Sequence, residues 1–210
     1  MLLTNWKFAR ALLIMWAGIL AASPLAWGQI AIDASASKDQ SSASKTVVTP
    51  TFSTTSGNEL LLAFVSTDYL SGSNTTVTGI SGAGLTWVLV VRTNVQSGTA
   101  EIWSAFAPSA LTGVTVTATL SQSVVSSLTF MTFTGVDTSG TDGSGAIGAT
   151  ASANAKSGVP IATLTTQRDG SLVLGVGNDY DNAIARILRP AQPGPFARLP
   201  SQAISENTGA

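Results

Sequence analysis

The chain predicts an all-β fold: an antiparallel β-sandwich or jelly roll of about nine strands that follows an N-terminal signal helix. Three observations lead there. Short apolar runs rich in Val, Thr, Leu and Phe recur along residues 29–185, separated by Gly, Ser, Asn and Asp, the residues that turn a chain. No stretch of the mature chain carries the 3.6-residue apolar period of a helix. Charged residues make up only 10% of the chain, the profile of an exported β module rather than a helical cytosolic enzyme.

The 210 residues suit one domain plus a targeting segment. With no Cys and no His, the sequence excludes disulfides, thiol nucleophiles, zinc sites of the usual ligand set and Ser-His-Asp triads. Eleven Asp and Glu keep carboxylate chemistry and calcium open. The few cations are scattered without an aromatic cluster, so no nucleic-acid partner is expected.

Residues 1–28 read as a secretory signal peptide. Lys7 and Arg10 form the positive start, Ala11 to Ala22 the apolar stretch, and Ala26-Trp27-Gly28 the small residues before a cut. That apolar run falls short of the ~20 residues that span a bilayer. We therefore expect cleavage before Gln29, no stable membrane span afterwards, and a secreted or cell-surface location. The mature domain would carry eight basic and eleven acidic residues, a net charge of −3.

The domain is expected over residues 29–185. Ile30 to Asp33 predicts a short first strand, and the Ser/Ala-rich run to Lys45 a loop. Thr46 to Ser53 reads as a strand demoted to an edge or bulge by Pro50. Glu59 to Thr67 (ELLLAFVST) is continuously apolar, as a central strand buried on both faces would be. Asp68 to Asn74 is a loop, and Thr75 to Ile80 a short strand.

Leu85 to Thr93 and Thr99 to Ala107 predict a hairpin turning at Asn94 to Gly98. Alternation puts Leu85, Trp87, Leu89 and Val91 on one face and Arg92 on the other. On the return strand it sets Glu101 beside Trp103. Val114 to Ser121 alternates cleanly, Val124 to Gly135 is a further strand, and Val136 to Gly148 is rich in turn residues. Val159 to Thr166 and Ser171 to Asn178 complete the set across the Asp169-Gly170 turn.

The tail, residues 186–210, has four prolines and no strand period, and reads as an irregular terminus. The sharper reading is a truncated or altered C-terminus that leaves the last sheet edge unpaired.

The motifs GNELLLAFVSTDY, VTGISGAGLTWVLVVRT, AEIWSAFAP, VTVTATLS and FMTFTGVDTSG together resemble a β-sandwich module of secreted and surface proteins in bacteria. That module is found beside immunoglobulin-like or fibronectin type III-like domains, and the likeness covers about residues 30–185. The resemblance implies fold and location, and no reaction. It also implies at least one more strand beyond Ile184, a pattern from which the Pro-rich tail departs.

Candidate chemistry is sparse. Asn178, Asp179 and Asp181 (with Asn182) form the densest acidic cluster, and Asp137 with Asp142 a looser one without the EF-hand spacing; either offers oxygens to Ca2+. The plainer account of such residues is Asx turns. Tyr69, Tyr180 and Trp103 are the aromatic candidates for stacking on sugar rings, whereas Trp87 shares its face with three apolar residues and suits the core. Glu59 and Glu101 are the only glutamates before the tail. Glu59 begins a buried strand and Glu101 is expected to face outward, so structural or solvated roles are expected rather than a glycosidase pair. The expected function is a non-enzymatic module for adhesion or for binding polysaccharide or cell-surface glycan. The alternatives are a fragment of a jelly-roll carbohydrate-active enzyme and a purely structural spacer.

Overall fold

Residues 29–179 and the backbone of a strand at 203–208 are described by the computed structural model. The expected signal peptide, Tyr180, Asp181 and Asn182 lie outside the described residues. The chain forms β1 (Ala31–Val48), β2 (Glu59–Thr67), β3 (Val77–Gly82), β4 (Val88–Thr93), β5 (Thr99–Ala107), β6 (Val116–Thr134), β7 (Gly175–Asp179) and β8 (Ala203–Thr208). Five strands follow one another in the order β1-β6-β2-β5-β4, and β3 pairs with β6 off that path.

All pairings in this six-stranded sheet are antiparallel. The expected all-β, antiparallel sandwich is thus the architecture of the main sheet. A separate pair, β7 and β8, is parallel. It places a strand in a tail that was expected to be irregular.

Two long strands make the sandwich. The first part of β6, Val116 to Leu120, lies between β3 and the end of β1, and its second part, Ser126 to Thr134, lies between β2 and the start of β1. The β1–β6 register shifts around Ser44 and Val124, at the junction of the two parts. Irregular pairing of this kind bends strands, and here the sheet folds over on itself. Side chains from both parts fill the space between: Val47, Val77, Val116 and Ala118 meet Leu61, Val65, Leu128 and Phe130.

β2 is buried along all nine residues, as its unbroken apolar run predicts. Leu61, Ala63 and Val65 face the inner core, whereas Leu60, Leu62 and Phe64 face outward against Met131 and Phe133. Ile147, Leu172 and Leu174, from segments outside the main sheet, cover that outer face. Each large apolar side chain so buried contributes about 1.5–3 kcal/mol.

Three expectations are corrected. The Ser/Ala-rich run expected to be a loop belongs to β1, where Ser35 to Gln40 pairs with Ser126 to Met131. It is an edge strand with mostly exposed side chains, so backbone bonding holds it without any apolar alternation to reveal it. The two strands expected on either side of Gln122 are one continuous β6. Val159 to Thr166 is no strand: Val159 and Ile161 are 84% and 81% exposed, and Pro160 between them has no N–H for a ladder. The Asp169-Gly170 turn does form, with Gly170 at φ 74°, but no long hairpin follows it.

Candidate functional site

β2 ends at Thr67 opposite Thr99 of β5, so the loops 68–76 and 94–98 emerge at the same end of the sheet. Gln122, partway along β6, builds the first loop around its side-chain amide. Its Oε1 accepts from the Leu70 amide (3.1 Å) and the Thr75 hydroxyl (3.0 Å), and its Nε2 donates to the carbonyls of Ser71 (2.7 Å) and Ser73 (2.8 Å). One glutamine thereby fixes four loop residues. Asn74 Nδ2 donates to the Asn94 carbonyl and ties the two loops together.

Tyr69 sits in this loop, half-buried, with its hydroxyl donating to the Gly72 carbonyl at 3.1 Å. Leu70 and Val95 are exposed on the two loops. This end therefore displays apolar surface among amide side chains on a prearranged backbone. Sequence reasoning found Tyr69 and missed Gln122, whose one sign was a lone amide between two strand-like runs.

Trp103 is placed elsewhere. It lies on the inner face, packs against the core and donates from Nε1 to Glu101 Oε2 at 2.9 Å. Trp87 packs against the same core, with its Nε1 directed to the Gly82 carbonyl at 3.3 Å.

The hairpin carrying these residues departs from simple alternation. Leu89 pairs with Trp103 but Val91 with Ile102, so Val90 is an extra residue in β4. A bulge of this kind reverses the facing of everything after it. Arg92 thus arrives opposite Glu101 on the inner face instead of on the face away from Trp87. Glu101, expected to face outward, is fully buried. Its Oε1 accepts from the Val77 amide (2.8 Å) and the Thr99 hydroxyl (3.0 Å), and its Oε2 accepts from Arg92 Nη2 (2.9 Å) as well as Trp103. Every donor comes from the hairpin or from β3.

Glu59 occupies the opposite end of the inner face. Glu101 pairs with Val65, six residues along β2 from Glu59, which separates the two carboxylates by ~20 Å at the strand rise. Glycosidase pairs stand about 5–9.5 Å apart.

The acidic clusters are engaged locally. Asp137 Oδ1 accepts from the Ser139 amide at 2.9 Å, an Asx turn, and Oδ2 accepts from Arg168 Nη1 at 2.5 Å. The Ser139 donors and then the Arg168 guanidinium hold its carboxyl down to a pKa of about 2. Asp142 is exposed and left-handed at φ 51°. Asn178 Oδ1 accepts from the Ser66 hydroxyl (2.9 Å), its Nδ2 donates to the Ser97 carbonyl (3.4 Å), and Asp179 ends β7 beside it. Among the described residues no three Asp or Glu converge as a metal-binding group.

A cleft of about 230 Å3 opens on the outer face, between Val88 and Ser104 on the hairpin and Thr141, Asp142 and Ile147 in the loop that follows β6. Among the described residues Asp142 is the only ionisable group in its wall. Comparison of the chain with protein-family models, with curated proteins and with solved structures finds no match.

Proposed function

We propose that this chain is a non-enzymatic, exported β-sandwich module that binds polysaccharide or cell-surface glycan. The observation that carries this reading is the prearranged loop end, where Gln122 and the Asn74–Asn94 tie hold Tyr69, Leu70 and Val95 on a fixed backbone. A sugar offers hydroxyls that exchange hydrogen bonds with amides, and a flat C–H face that settles on an aromatic ring. A fixed loop end meets both without a large ordering cost.

Glycan-array binding by the exported chain tests the reading, with Tyr69→Ala and Tyr180→Ala as separate controls. Binding lost in Tyr69→Ala, with the melting temperature unchanged, supports it. Binding that survives both substitutions places the ligand elsewhere. Asn178, Asp179 and Asp181 stay as the proposed calcium ligands, read by a calcium-dependent rise in melting temperature that chelator reverses.

A further inference from the structure

The sandwich core holds one fully buried glutamate towards each end of its inner face, and the two are treated oppositely. Glu101 receives four hydrogen bonds, one of them from the arginine that forms its ion pair. Glu59 is equally buried, yet neither of its oxygens has a well-formed hydrogen bond. Around its carboxyl stand the Thr132 hydroxyl from β6, the Ser56 backbone from the loop before β2, and the Asp33 carboxyl from β1. Among the described residues Asp33 is the one charged group acting on it. An isolated buried carboxylate beside a second carboxylate is costly, because desolvation and like charge both oppose ionisation.

Asp33 is itself fixed as the anion. Its Oδ2 accepts from the Thr55 amide at 2.6 Å and its Oδ1 from the Thr55 hydroxyl at 2.5 Å. It stands where β1 bulges: the β1–β6 register shifts between Ile32 and Ser35, and the Ala34 amide bonds to Thr132 Oγ1 at 3.0 Å instead of to a strand carbonyl. The bulge brings an acid from the edge strand to the acid at the start of the central strand.

We propose that Glu59 and Asp33 share one proton, Glu59 as the acid donating to the Asp33 carboxylate, and that this bond clips the bulged start of β1 onto β2 until Glu59 ionises. One proton removes the buried charge, satisfies a Glu59 oxygen and leaves Asp33 to its Thr55 donors. The two environments push the groups apart in the required sense. Burial first, then the Asp33 neighbour, raises Glu59 above its ordinary 4.5, and the Thr55 hydroxyl and amide lower Asp33 below 3.8.

The sign follows from linkage. A group that holds its proton more tightly folded than unfolded stabilises the fold fully below pH 4.5, and that contribution is lost as pH rises through the folded midpoint. Asp33 acts oppositely and loses its contribution as pH falls below 3.8. The clip is therefore tightest in mild acid and opens towards neutral and alkaline pH.

Carboxyl-carbon NMR across the titration range of carboxylic acids tests this on the wild-type chain, together with Glu59→Gln and Asp33→Asn. The Glu59 midpoint should lie above 4.5 and fall in Asp33→Asn. Hydrogen exchange at the Ala34 amide, corrected for its intrinsic pH dependence, should quicken in wild type as pH passes that midpoint. In Glu59→Gln, whose amide mimics the protonated acid, the corrected rate should stay flat. A Glu59 midpoint at 4.5, a midpoint unmoved by Asp33→Asn, or the same exchange profile in wild type and Glu59→Gln would each overturn the proposal. So would thermal stabilisation by millimolar calcium that Glu59→Gln abolishes, since a cation would then be the neutralising group. The wild-type titration stands even if a variant fails to fold.

Discussion

Arg92 lies directly across the hairpin from Glu101, its Nε 2.8 Å from the carboxylate, because the extra residue at Val90 has turned it inward. The same guanidinium also donates to the Val77 carbonyl at 2.7 Å, so it joins the hairpin to β3. Replacing Arg92 with Met should leave a buried, uncompensated carboxylate and cost on the order of 3 kcal/mol. The Arg92→Met, Glu101→Met pair should cost clearly less than the two single changes summed. Urea unfolding of all four proteins gives the coupling. Additive losses would mean that the ion pair contributes nothing of its own.

Gly98 closes the β4–β5 turn at φ 79°, and a Cβ there would collide with the Thr67 carbonyl oxygen and the Asn178 amide. Gly98→Ala should therefore destabilise by roughly 1–3 kcal/mol, combining left-handed strain with the overlap. Chemical denaturation reads this directly. An unchanged midpoint would show that the turn relaxes without cost.

Asp137 contributes stability at ordinary pH through its depressed pKa of about 2. Because its folded value lies below the ordinary 3.8, that contribution is lost as pH falls from about 4 towards 2. The difference in melting temperature between wild type and Asp137→Asn should therefore shrink across that window. A difference that stays constant would remove Asp137 from the acid response.

Gln122→Ala should release all four loop bonds while sparing the sheet. The Leu70 amide, held by Gln122 Oε1, should then exchange much faster, with a stability loss of about 1–3 kcal/mol. Where glycan binding is measurable, it should weaken in parallel. Unaltered exchange at Leu70 would show that the loop is held by something else.

Val159→Thr and Ile161→Thr should leave stability within about 0.5 kcal/mol of wild type, as expected where a side chain covers nothing. A larger loss by thermal denaturation would mean that this segment packs after all.

The sequence foretold much of the core and less of the edges. Glu59 to Thr67 announced a strand buried on both faces because apolar residues fill both parities, and the alternation from Val114 to Leu120 announced its inward set. Both ends of β1 were legible, at Ile30 to Asp33 and from Thr46, but its Ser/Ala-rich middle was hidden because an exposed edge strand owes its place to a partner distant in sequence and asks little of its own side chains. The inward turn of Arg92 was hidden for another reason: one bulge residue inverts parity, and Val90 looks like its neighbours. Tyr69 was legible as a loop aromatic, whereas Gln122 was not, since its value lies in the four partners that folding brings to it. The Asp33–Glu59 contact depends on a second bulge and left no mark in the spacing of the two acids.

The reach of the β1–β6 pairing also bears on how the molecule is assembled. Ala34 and its partner Thr132 are 98 residues apart, so the first strand to leave the synthesis machinery waits for nearly the last part of the main sheet. Long-range closure of this kind makes for slow folding, on the scale of milliseconds to seconds, and no partial chain lacking β6 can join β1 to β2. For a chain emerging from synthesis in order, this means that β1 stays unpaired in the main sheet until β6 has followed it out.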